Sequence, residues 1–259
     1  MKRDRTSSLF LSFPFKFLRW SSVEDRGCCF SVISRHRSVR SFSTEPIPQE
    51  DIRKILEAAR RHVSPWNIQP VHVTVVTDSK LKSRLSDALW GQEQIKEAPV
   101  FFVFSVDYAK VLESIKLLGL EAREPGLTEL LQGYISASVA LAWSIAVAED
   151  LGYVVNIIAA YGNPCEVADI LGLPSYVVPV AGLLVGKPKG ELPPLTPRAP
   201  VEALAGWNSY GDLEDKVKAY MSLGEKFVNN MWRVHRHGGP VDRMDNVIRE
   251  CLKSRGFRV

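Results

Sequence analysis

The chain has 259 residues, with 33 Lys and Arg against 29 Asp and Glu and a formal charge of +4. That length can bury one sizeable core, and the charge is far too small for a general nucleic-acid binder with a basic face. The four cysteines, Cys28, Cys29, Cys165 and Cys251, form no C-x-x-C pair, and the adjacent two make poor zinc ligands or disulfide partners for each other, so a reducing, cytoplasmic setting is expected.

The opening "MKRDRTSSLFLSFPFKFLRWSS" is basic and aromatic, and Pro14 and Lys16 interrupt its apolar run. A bilayer span needs roughly 20 apolar residues, and no small-residue cleavage site follows cleanly. Residues 1–31 therefore read as an unstructured extension or a start placed too far upstream. Residues 32–259 read as a single domain, in which 191–259 form an extension that packs on the core or on a partner subunit.

After "RHRSVRSF", the segment "STEPIPQEDIRKILEAARRH" predicts a turn into a helix. Pro48 lies near the first turn, Glu50 and Asp51 complement the N-terminus, and Ile52, Ile55, Leu56 and Ala59 recur at helical spacing. "VSPWNIQP" is a loop by composition, "VHVTVVTD" an alternating strand, "SKLKSRLSDAL" a short amphipathic helix and "PVFFVFSVD" a buried strand. Leu127 to Leu151 predicts a long, nearly all-round buried helix, with alanines that admit close neighbours. Polar Gln132, Ser136, Ser138 and Ser144, and the absence of a second span, argue against a membrane. "YVVNIIAAYG" then reads as strand and loop, "NPCEVADILGLP" as a helix, and "YVVPVAGLLVG" as another buried strand. This alternation implies a mixed α/β sandwich. "KPKGELPPLTPRAP" is too proline-rich for regular structure, and Asp212 to Val259 reads as two charged helices separated by "RHGGP".

No G-x-G-x-x-G, phosphate loop, H-E-x-x-H or G-x-S-x-G is present. His235 and His237 lack nearby acids or thiols and read as surface residues, leaving no metal site. A chain with a full core and no self-contained catalytic motif can borrow its chemistry from a cofactor. If "HRSVRSF" is extended, His36, Ser38 and Arg40 share one face and offer donors and charge to one anion, with Arg37 and Val39 turned away. A solvated basic run is the plainer reading of that stretch taken alone. In "SPWNIQP", Ser64, Asn67 and Gln69 place groups that donate and accept in one loop, which suits a heterocycle edge with alternating C=O and N–H; turn formation is the plainer role.

Together "RHRSVRSFSTEPIPQEDIRKILEAARRHVSPWNIQPVHVTVVTD", "ILGLPSYVVPVAGLLVGKP" and "PRAP" resemble the FMN-dependent nitroreductase family, and within it the oxygen-insensitive NADPH nitroreductase and flavin reductase P subgroup. The resemblance runs from about residue 34 to 210 and more loosely beyond. It implies an α+β nitroreductase-like fold, a mixed central sheet flanked by helices, and an intertwined homodimer with the long helix in the interface. It further implies that His36, Arg37, Ser38 and Arg40 hold the FMN phosphate and ribityl region, joined from far downstream by Arg198. Ser64, Asn67, Gln69 and Gln92 would meet the isoalloxazine ring, and Ile158, Ala159 and Ala160 supply a backbone N–H near flavin N5.

The implied activity is NAD(P)H-dependent, ping-pong reduction of nitroaromatics, quinones or free flavin. The alternatives are another flavin reaction, such as desaturation or dehalogenation, and non-catalytic FMN storage or sensing. The chain departs from the subgroup at Ala159 and Ala160, where glycines are usual, at Thr196, where a lysine is common, and at Trp207, expected to line or cover the pocket. Arg233, Arg236 and Arg243 are candidates for a nicotinamide 2′-phosphate contact, with a solvated basic loop as the plainer reading.

Overall fold

The computed structural model describes residues 28–259. The part of the expected extension preceding residue 28 lies outside the described residues, and its remainder opens helix α1 (Cys28–Ser34), so the expected boundary at 31 falls inside a helix. The elements that follow are α2 (Gln49–Arg60), β1 (Val71–Val76), α3 (Ser79–Ala88), α4 (Gln94–Glu97), β2 (Val100–Asp107), α5 (Ala109–Leu117) and α6 (Leu127–Asp150). Then come β3 (Val154–Ile158), α7 (Pro164–Leu171), β4 (Val177–Gly186), α8 (Val201–Leu204), α9 (Leu213–Met221), α10 (Glu225–His235) and α11 (Pro240–Ser254).

The sheet order is β1-β2-β4-β3. The expected mixed sheet is antiparallel throughout these strands, and parallel pairing appears in isolated bridges such as Ser38 with Val155. Alternate β2 residues serve two cores. Val100, Phe102 and Phe104 join Ile55, Ala140 and Ala148 from α2 and α6 on one face, whereas Phe101 and Val103 join Leu85, Ile95 and Val167 from α3, α4 and α7 on the other. Burial on both faces is why this strand reads as an unbroken apolar run.

Helix α6 lies close against β2, since a Cβ on Gly133 would sit 2.5 Å from Val106 Cγ1. It is the one helix among the described residues long and apolar enough to cross a membrane, and it packs across the sheet. The expectation of nearly all-round burial is corrected: Gly133, Ala137, Ala140, Ser144 and Ala148 face the core, while Leu127, Leu131, Ile135, Ser138 and Ala142 form an exposed stripe. Spacings of three and four put these exposed residues on one side of the helix.

The C-terminal region holds three longer helices where two were expected, because the chain turns at Gly224, whose φ of 89° suits glycine. Only α11 among them buries residues, Cys251 and Leu252, against the core. The cysteines, expected to stay reduced, are joined at one place: a Cys165–Cys251 disulfide ties α7 to α11. Helix α5 had no sequence counterpart, although Val111, Leu112 and Ile115 recur at helical spacing.

Candidate functional site

The strip from Arg35 to Ser43 runs beside β3 and the exit of β4. Val39 N–H donates to Val155 O at 2.9 Å, Ser43 N–H to Lys187 O at 2.9 Å, and Lys189 N–H to Ser41 O at 3.1 Å. Val39 and Phe42 anchor it by burying their side chains. The expected common face for His36, Ser38 and Arg40 is only partly present. His36 turns to α6, with Nδ1 at 2.7 Å from Glu149 Oε1, Ser38 is half-buried at the bridge to Val155, and Arg40 is exposed.

Arg37, expected to face away, is half-buried: Nη1 donates to Arg35 O, and Nε is buried with no partner among the described residues. It lines a cavity of about 230 Å³ with Val32, Arg35, Glu149, Tyr153 and Leu192. Burial pushes the Glu149 carboxyl above its usual range, and the His36 contact pulls it back.

In the loop before β1, three residues other than glycine take positive φ: Trp66 at 50°, Asn67 at 56° and Gln69 at 55°. Such backbone costs of order 1–3 kcal/mol per residue and clusters at functional sites. The loop is clasped internally, since Ser64 Oγ accepts from Gln69 N–H at 2.9 Å and Asn67 Oδ1 accepts from Gln69 Nε2 at 3.0 Å. The Asn67 amide hydrogens and the Gln69 side-chain oxygen Oε1 therefore have no hydrogen-bond partner among the described residues and form a mixed donor and acceptor edge. Trp66, just before Asn67, is 82% exposed.

Gln92 and the 158–160 segment are joined through an aromatic contact. Lys82 holds α3 and α4 together by donating to Ala98 O at 2.6 Å and Lys96 O at 3.3 Å. The turn between these helices projects Trp90 onto Gly162, where an added Cβ would lie 2.2 Å from Trp90 Cη2. Gln92 Oε1 accepts from Gln94 Nε2 at 2.7 Å, leaving its own NH2 available. Ile158 ends β3 with its side chain in the core, Ala160 is buried, and Ala159 takes φ −76° and ψ 71°. Neither alanine takes positive φ, so the exchange from glycine carries no backbone strain here. Trp90, Ala159, Gly162, Arg243, Met244 and Val247 line a cavity of about 610 Å³.

Arg198 departs from expectation. Its Nη1 donates to Thr196 O at 3.2 Å and Pro197 O at 3.4 Å, and no hydrogen bond or ion pair joins it to His36–Arg40 among the described residues. Thr196 and Arg198 instead line a cavity of about 1450 Å³ with Leu204, Tyr220, Phe227 and Arg233. Guanidinium groups repel one another, so convergence on one point needs the anion between them. Of the other arginines, Arg243 lies in the cavity beside Ala159 and Arg236 stacks over Trp232 at 5.4 Å. Trp207, expected to cover the pocket, is 94% exposed and covers nothing within one chain.

The donor set of guanidinium, imidazole and hydroxyl beside an orphaned buried N–H fits a phosphate, and the uncommitted NH2 groups of Asn67 and Gln92 and the Gln69 Oε1 fit the polar edge of a flavin. Sequence reading missed Glu149, whose only signal is a charge closing an otherwise apolar helix, and the Trp90–Gly162 contact, which joins residues with no shared pattern. No group of His, Cys, Asp and Glu among the described residues could hold a metal.

Residues 33–187 match the model of the nitroreductase family. An FMN reductase [NAD(P)H] of Bacillus subtilis is 36% identical over 247 residues, covering 88% of this chain and 96% of that protein. An oxygen-insensitive NADPH nitroreductase of Salmonella typhimurium is 28% identical over 236 residues, covering 87% and 96%. The solved structure of the hypothetical oxidoreductase YcnD of Bacillus subtilis superposes with a TM-score of 0.79 at 30% identity, covering 89% of this chain and 98% of that one.

Proposed function

The chain belongs to the nitroreductase family, and we propose that it is an FMN-dependent oxidoreductase that carries reducing equivalents from NAD(P)H to a small acceptor such as a nitroaromatic, a quinone or free flavin. The observation that carries the reading is the buried, partnerless Arg37 Nε in a strip that also presents His36 and Ser38. An unpaired buried N–H of this kind costs free energy until an acceptor reaches it.

In this reading residues 32–259 are one FMN-binding domain, and His36, Arg37, Ser38 and Arg40 hold the phosphate with Arg198. The Asn67 amide and the Gln69 side-chain oxygen orient the ring edge, with Ser64 clasping their loop, and Gln92 reaches the ring from the α3–α4 turn. The N–H groups of Ile158, Ala159 and Ala160 approach from the end of β3. Bound FMN would supply the two-electron chemistry between nicotinamide and acceptor. The side chains around it bind, orient and supply positive charge, and Arg40 offsets negative charge as it develops on the ring. Thr196 adds a hydroxyl where a cation would be stronger.

The proposal includes a homodimer, supported by the exposed apolar stripe Leu127, Leu131, Ile135 and Ala142 on α6, and a cytoplasmic location, where reduced nicotinamide is supplied. The visible spectrum of the purified protein tests the cofactor, and NADPH oxidation with menadione or a nitroaromatic tests turnover. Yellow protein with turnover is expected. Colourless protein that takes up no FMN overturns the proposal, and yellow protein without turnover on any acceptor favours FMN storage.

A further inference from the structure

His36 and Glu149 are 113 positions apart in sequence and meet at 2.7 Å, with side chains 24% and 13% exposed. Glu149 sits in the last turn of α6, where the helix dipole also favours a cation. The contact commits Nδ1 and leaves Nε2 with no hydrogen-bond partner among the described residues. The charged and titratable groups that line the cavity with Glu149 are Arg35 and Arg37 from the strip and Tyr153, whose hydroxyl is already committed to Asp51 Oδ2 at 2.7 Å; Arg40 and Asp150, near in sequence, are exposed. Leu192 closes the cavity with an apolar side chain. Glu149 is thus the acid that meets the imidazole directly, in a setting otherwise rich in arginine.

We propose that Glu149 is a positioning residue for FMN: it fixes the His36 ring through Nδ1–H, so that Nε2 takes up a proton when the phosphate binds and donates it as a hydrogen bond to a phosphate oxygen. This rests on the phosphate-grip reading given above. One proton moves from solvent to Nε2, no covalent bond changes, and the imidazolium formed lies between two anions. An imidazole that must be protonated to donate at both nitrogens makes ligand affinity depend on pH.

The sign follows from linkage. A proton bound together with FMN makes affinity fall as pH rises, by up to about tenfold per pH unit for one linked proton. The phosphate itself acts in the opposite sense around its second pKa of about 6, so the measurement belongs above pH 7.

The test is release of FMN from the purified full-length holoprotein on dilution, read by recovery of flavin fluorescence across about pH 7 to 9, for the parent, Glu149→Gln and His36→Gln. Riboflavin, which lacks the phosphate, is titrated in parallel. The expected result is weakening of FMN binding with pH in the parent, and a flattened slope in both variants with about tenfold weaker FMN binding at pH 7. Riboflavin affinity is expected to be unchanged. The inference is overturned if Glu149→Gln keeps the parent's affinity and slope, or if riboflavin affinity falls in step, which would mark a merely structural role. If the parent holds no FMN at all, the cofactor reading falls first and this inference with it.

Discussion

The Trp90 ring lies so close over Gly162 that a methyl group on Gly162 would sit 2.2 Å from Cη2 and 3.1 Å from Met244 Sδ. Gly162 does not take positive φ, so the demand is for space alone. This contact ties the turn carrying Gln92 to the segment carrying Ala159. Gly162→Ala is therefore expected to push Trp90 and Met244 aside at a cost of about 1–3 kcal/mol, the usual range for overpacking. The melting temperature and the flavin content of the purified variant should fall together. A variant with parental stability and full flavin content would show that the contact does not set the site.

The arginines of the proposed grip make a second prediction. Arg40 is exposed, and among the described residues Arg198 bonds only backbone oxygens of its own segment and neither arginine makes an ion pair. Arg40→Ala and Arg198→Ala should leave the thermal transition of the flavin-free protein unchanged while weakening FMN binding. Each loses a charge-assisted contact, on the order of 2–3 kcal/mol. Fluorescence titration with FMN and riboflavin checks this, and unchanged FMN affinity in both variants would refute the assignment.

The bare stripe on α6 leads to a third. Leu131 and Ile135 are 56% and 60% exposed on a helix whose other side builds the core. Burying such a side chain is worth about 1.5–3 kcal/mol. The double variant Leu131→Asp, Ile135→Asp should fold but run as a monomer in size-exclusion chromatography with light scattering. If the flavin lies at the subunit boundary, it should also lose its colour. A variant that remains a dimer would place the interface elsewhere.

Much of this arrangement was legible in the sequence because it is written in periodicity. The run "PVFFVFSVD" has strand length and reads as a buried central strand, and Pro164 and Gly172 bracket α7 as start and stop. What escaped depends on partners distant in the chain. Nothing near His36 announces Glu149, and the common face predicted for His36, Ser38 and Arg40 is present only in part because the His36 ring meets a carboxylate on α6. The all-round burial expected of α6 failed for a related reason: an apolar composition does not say whether the last neighbour belongs to the same chain. Nor could spacing alone have paired Cys165 with Cys251, which lie 86 positions apart.

The tyrosines give a prediction with a defined pH window. Burial, as the leading cause, pushes Tyr108, Tyr134 and Tyr153 each from 10.0 up to about 12, and for Tyr153 the Asp51 carboxylate that accepts its hydroxyl adds to the effect. A raised folded-state pKa means that the neutral phenol is favoured by folding. The stability it contributes is fully present below about pH 10 and is lost as pH climbs towards 12. Tyrosinate absorbance near 295 nm should therefore appear in two stages, exposed phenols first and these three with the loss of structure. Tyr153→Phe keeps the ring but removes the hydroxyl, so it should take one phenol out of the late stage and release the Asp51 carboxylate from its hydrogen bond. Should all the tyrosines titrate together near pH 10 with the circular dichroism intact, their burial would not govern the alkaline transition.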